Sequence, residues 1–216
     1  MTTEHPTEPA TGPAAQDTAG HAIVDLDAQV VEATVGLVKQ AGLLDLDRPT
    51  PCAGWTLADL IEHMTAQHYG WIAAAVGHGA DLSAWQPGPP VADPIGEYAE
   101  AARRVLEAFG ADGVLDREFA LAEISPVLRF PAAQAISFHF IDYLVHGWDV
   151  ARSLGVDYRP GPGLLAAALP VALAVPGGKA RERDGAAFAP GLEVPAQAGA
   201  LDQIVALLGR SPSWPR

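Results

Sequence analysis

The chain is short of basic residues. Of 216 residues, 13 are Lys or Arg against 26 Asp or Glu, a net charge of −13. A surface that acidic repels phosphate backbones and anionic lipid, which argues against nucleic-acid binding and membrane docking. Cysteine is almost absent. The single Cys52 has no intrachain disulfide partner, which fits a reducing compartment. Long apolar runs are missing too: the longest, Leu164 to Val175, is interrupted by Pro170 and closed by Pro176, too short for a membrane span. The first twenty residues carry acids where a secretion signal needs basic residues, and they lack an apolar stretch. No GxGxxG, GxxxxGK[ST], HExxH or paired CxxC occurs. These absences leave a soluble, acidic, cytoplasmic globular protein as the expectation.

What is present is helical. Residues 1–20, rich in Pro, Thr, Ala and Gly, read as a disordered tail. From Ala22 onward, Ile23, Leu26, Val30, Val31, Leu37, Val38 and Leu44 recur at helical spacing. A second helix starts at Thr56, with Asp59 three residues on as in a capping box, and runs to about Val76. A third begins near Asp93-Pro94 and ends at Gly110, a fourth runs from near Pro131 to Leu154, and a fifth covers Gly163 to Val175. Residues 111–131 are read as irregular with short extended pieces. A strand is expected around Ala187 to Val194 and a last helix over Leu201 to Leu208. The pattern predicts an all-α protein, a four-helix bundle over 21–176 with a short C-terminal extension, 177–216, packed on it.

The fourth helix carries the chemistry. Over SFHFIDYLVHGWDV (Ser137 to Val150), a 100° step puts His139, Asp142, His146 and Asp149 within an arc of about 80°. The rest of the circumference is apolar, as in a buried helix, and such a polar stripe needs partners. A metal ion is one partner for it: Asp142 and His146, four residues apart, reach one ion from one face. His63, on the core side of the second helix with Leu60 and Met64, is the candidate third ligand. A helix-surface ion pair or a core hydrogen-bond network accounts for the same residues.

The segment TPCAGWTLADLIEHM (Thr50 to Met64) resembles the opening signature of the mycothiol-dependent maleylpyruvate isomerase metal-binding-domain family, DinB-like proteins common in high-GC actinobacteria. VHGWDVARSLG (Val145 to Gly155) is similar to its second signature, and FAP…LDQIVALLGRSPSW (Phe188 to Trp214) to the tail of its small single-domain members. The resemblance implies a DinB-like four-helix bundle that binds a divalent ion, usually zinc or nickel. Its three ligands fall on His63, Asp142 and His146, the trio that helix geometry selects. The family's acid is commonly Glu. Asp142 is one methylene shorter, so the ion sits closer to the fourth helix or is held more weakly.

The resemblance further implies a low-molecular-weight thiol, mycothiol or a similar one, and a small electrophilic substrate to be isomerised or conjugated. The isomerase has a separate C-terminal domain that helps form its substrate site; with about 40 residues after the fifth helix here, maleylpyruvate itself is not the expected substrate. Related bundles often dimerise, so a homodimer is among the implied partners. A non-catalytic bundle that binds metal or a small ligand is the alternative.

Four further assignments complete the reading. His139 and Asp149 are placed behind the ligands, where a metal-bound His donates its other nitrogen. Gln67 and His68 are assigned to the cavity mouth, against a surface or capping role. Arg152 is a candidate clamp for a substrate carboxylate, against simple compensation of a helix C-terminus. Cys52 reads as part of a packing turn, against a thiol activated by the helix start.

Overall fold

The computed structural model describes residues 13–182, 186–195 and 197–215. Six helices appear among them: α1 (Pro13–Val38), α2 (Leu57–Ala75), α3 (Pro94–Phe109), α4 (Ala132–Leu154), α5 (Pro162–Ala174) and α6 (Ala200–Leu207). The only strands among the described residues are β1 (Glu118–Ala120) and β2 (Arg129–Pro131), an antiparallel pair with Phe119 opposite Phe130. The protein is therefore all-α, a DinB-like bundle in which α1 packs on α4 and α2 on α3.

The boundaries have local causes. At α2, Thr56 accepts from the Asp59 N–H at 3.2 Å while the Asp59 carboxylate accepts from the Thr56 N–H at 2.8 Å. This reciprocal cap satisfies two otherwise orphaned donors, and losing such a cap costs about 1 kcal/mol. At α3, Asp93 caps the Gly96 N–H and Pro94 occupies the first turn, where its missing N–H costs nothing. At α4, Gly155 ends the helix with φ +72°, its N–H donating to the Ala151 and Arg152 carbonyls.

Two sequence expectations are corrected. Of the tail expected over 1–20, residues 1–12 lie outside the described residues, but α1 begins at Pro13, so the helix takes in all of 13–20. No strand forms among the described residues of 187–194; the chain there is irregular, because no neighbouring strand offers a ladder. The fifth helix runs through Pro170 to Ala174, close to the span expected.

The core has two regions. One joins Val30, Leu60, Met64, Tyr143 and Leu144 to Ile204 and Leu208, so α6 closes over the bundle. The other gathers Trp71, Trp85, Phe109 and Phe119 at the opposite end. α1 and α4 approach closely at Gly147, where a Cβ would stand 3.0 Å from Thr34 Cγ2 and 3.1 Å from the Tyr158 ring. No helix among the described residues is long and apolar enough to cross a membrane.

Candidate metal centre

Two segments meet over the C-terminal half of α4. The first is the turn before α2, where Thr50 and Trp55 close a backbone hydrogen bond of 3.1 Å around Gly54, whose φ of +82° is strained for any side chain. This turn aims the Cys52 thiol at α4 and lays the Trp55 ring over His63, 4.9 Å between centroids. The second is the chain after α6, which delivers Arg210.

On α4, His146 Nδ1 donates to Asp149 Oδ2 at 3.0 Å, while its Nε2 stands 3.5 Å from Asp142 Oδ1. The His63 ring lies 5.4 Å from that of His146, edge on. The trio expected from the sequence is thus brought together by α2 and α4. His146 and Asp149 are buried and Asp142 is 20% exposed, which opens the cluster on the Asp142 side.

Electrostatics divide the two imidazoles. Burial, the His146 charge and Arg210 hold His63 down to about 4, against the pull of Asp142, so it is neutral with a free lone pair near pH 7. Burial also works against a charged His146, but Asp142, Asp149 and Cys52 outweigh it and push it up to about 10. Burial would likewise raise Asp149; Arg210 and His146 overcome it and hold the carboxyl below its ordinary value. The cluster favours positive charge at His146 and offers a neutral nitrogen and a carboxylate beside it.

These residues fit a divalent ion. His146 is oriented through Nδ1 by a buried carboxylate, the arrangement that fixes a ligating imidazole, and an ion at Nε2 would displace the proton that the neighbouring acids favour there. A second set overlaps the first: ligand atoms of Cys52, His146 and Asp149 all lie within 4.8 Å of one another. Within that second set, Asp149 receives the Arg210 guanidinium at 3.1 Å.

The remaining expectations need correction. His139 does not stand behind the ligands: its Nδ1 meets Asp27 Oδ1 at 2.7 Å and its Nε2 meets His68 Nδ1 at 3.2 Å. His68 is fully buried, stacked 4.2 Å from the Tyr143 ring, and lines no cavity mouth; its position on α2 turns it inward. Gln67 is also buried and donates to Glu123 Oε2 at 2.8 Å. Arg152 donates to the Pro212 and Trp214 carbonyls and covers the Trp148 ring, so its donors hold the C-terminal segment instead of a substrate.

Three residues went unnoticed in the sequence. Asp27 sits on α1 without a motif around it, and Glu123 lies in the loop after β1. Arg210 is the one with a signal, a lone cation in the apolar stretch LLGRSPSW.

Residues 27–151 match the family model described as the mycothiol maleylpyruvate isomerase N-terminal domain. The chain belongs to this family. The matched segment holds Cys52, His63, Asp142, His146 and Asp149, and stops short of Arg210. Two uncharacterized proteins of Mycobacterium tuberculosis, one from strain CDC 1551 / Oshkosh and one from strain H37Rv, are each 33% identical to the chain over 171 residues. The alignment spans 77% of this chain and 85% of theirs. No solved structure gives a significant match. The mycothiol isomerase N-terminal domain thus accounts for the bundle from the middle of α1 to the end of α4, and α5 and α6 are added to it.

Proposed function

We propose that the protein binds one divalent ion, zinc or nickel, through His63, Asp142 and His146, and acts as a thiol-dependent transferase or isomerase on a small electrophile. The observation that carries this reading is His146, tied at Nδ1 to Asp149 with its Nε2 facing Asp142 and the His63 ring alongside. His/carboxylate ligation suits such ions, and three protein ligands leave a position open, as in catalytic sites. The ion would supply a Lewis acid that lowers the pKa of a bound thiol, of the mycothiol type that the family's description names.

The chain's own residues do the rest. Asp149 holds His146 in one orientation. The partly exposed Trp55 ring walls His63 with an apolar face against which a substrate can pack. Glu123, raised by burial and by the Asp142 charge against the hydrogen bond from Gln67, is suited to hold a proton on the Asp142 side of the cluster. The net charge of −13 supports a small-molecule partner over nucleic acid.

One observation favours the alternative of a non-catalytic metal- or ligand-binding bundle. Two surface clefts, one around Leu192, Pro195 and Ser211 and one around Gln40, Tyr158 and Arg159, are lined by none of the trio. Elemental analysis of untagged protein beside His146→Ala tests the metal reading. The expected result is about one equivalent of zinc or nickel in the wild type, lost in the variant. No metal in either after reconstitution at neutral pH overturns it. A thiol-plus-electrophile screen of metal-loaded protein then separates enzyme from binder.

A further inference from the structure

Arg210 reaches the cluster from outside the segment that the family model matches. Gly209, at φ +81° and with its Cα backed by Ala189 so closely that a Cβ would stand 2.7 Å from it, makes the turn after α6. The Arg210 N–H then bonds the Val205 carbonyl at 2.9 Å. The guanidinium is buried: Nη1 donates to the Leu208 carbonyl at 3.0 Å and the group lies 5.6 Å over the Phe188 ring. Its remaining donors enter the second ligand set. Nη2 stands 3.1 Å from Asp149 Oδ2 and 3.6 Å from Cys52 Sγ, and Nε lies 3.3 and 3.4 Å from the two Asp149 oxygens.

Two overlapping donor sets therefore share His146. One is His63, Asp142 and His146; the other is Cys52, His146 and Asp149. Thiolate is a soft ligand that zinc and other transition ions take readily, so the second set would compete for the same ion. A fixed guanidinium at the same oxygen and sulfur atoms repels a divalent ion from that set. We propose that Arg210 is a positioning residue that selects the ligand set: by standing as the cation between Asp149 and Cys52, it keeps Asp149 as a hydrogen-bond acceptor for His146 and directs the metal to His63, Asp142 and His146. Without it, the ion moves to His146, Asp149 and Cys52, whose thiol proton is released to the buffer as the sulfur–metal bond forms.

This inference rests on the metal reading above, and cobalt(II) titration of the full chain separates the two. A thiolate–cobalt bond gives a near-ultraviolet charge-transfer band that nitrogen and oxygen ligands do not. The wild type is expected to take up cobalt without that band, and Cys52→Ser to leave the spectrum unchanged. Arg210→Gln is expected to acquire the band, to lose it in the Arg210→Gln, Cys52→Ser double variant, and to keep it absent when the charge is retained in Arg210→Lys. A thiolate band in the wild type that Cys52→Ser removes overturns the inference while leaving metal binding intact, and this pair decides even where Arg210→Gln does not fold. Arg210→Gln that folds and binds cobalt without the band overturns it as well. No cobalt uptake by the wild type overturns the metal reading itself, and this inference with it.

Discussion

Two histidine–carboxylate pairs lie two turns apart on α4 and have opposite characters. His139 pairs with Asp27 and His68 deep among Trp71, Phe109 and Tyr143. There burial dominates: it pushes the Asp27 carboxyl up, against His139, and the His68 imidazole well down. Asp27 Oδ2 and His68 Nε2 have no hydrogen-bond partner. His146 stands where α2, α4 and the C-terminal segment meet, and there neighbouring charges outweigh burial. The same residue types make a core brace at one place and a charged, partly open cluster at the other. What differs is the number of compensating charges and whether one side is open.

The largest effect that would break this comparison is on stability at the first pair. Asp27→Ala strips a buried imidazole of its partner and is expected to cost about 3 to 5 kcal/mol in urea unfolding, with no change in metal stoichiometry under native conditions. Loss of metal in that variant while it remains folded would mean that the two pairs form one site. At the second pair the expected loss is function. Asp149→Asn keeps the shape but weakens the acceptor behind His146, and metal affinity measured against a chelator should fall by about 10- to 100-fold.

A smaller effect is the pH dependence of the metal-free protein. His146 has a folded value of about 10, above its unfolded value of about 6.5. Its contribution to stability is complete below pH 6.5 or so and is lost as pH rises through about 10. His63, held down to about 4, takes a proton more readily when unfolded, so stability falls as pH drops from about 6.5 to about 4 and then levels. Urea midpoints across this range should show both limbs; His146→Ala should flatten the alkaline limb and His63→Ala the acid one. The smallest change is Asp142→Glu, which restores the commoner acid and should raise zinc affinity by a modest factor in the same chelator competition. A fall instead would show that the bundle has closed around the shorter side chain.

Much of this was legible before the fold was known. The Thr56/Asp59 cap, the Asp93-Pro94 start and the Gly155 stop are contacts within a few residues, so composition at each spot is enough to read them. The strand anticipated over 187–194 fails for the converse reason, since a strand needs a neighbour that only the fold can bring. Gln67, His68 and Arg152 do not take the roles expected of them at the site. Their side chains found other partners, Glu123, Tyr143 and the C-terminal carbonyls.

By itself the sequence determined that Asp142, His146 and Asp149 share one face of one helix, because spacings of four and three residues are converted into direction by the helix alone. It also determined that this face is polar on an otherwise apolar helix, and so must find partners. Tertiary structure decided which partners. Asp27 reached His139 across 112 residues and Arg210 reached Asp149 across 61, and no local rule links positions so far apart. Which histidine became a buried brace and which stands in the charged, partly open cluster follows from those long-range contacts, because the surrounding charge and burial, and not the imidazole, set its state.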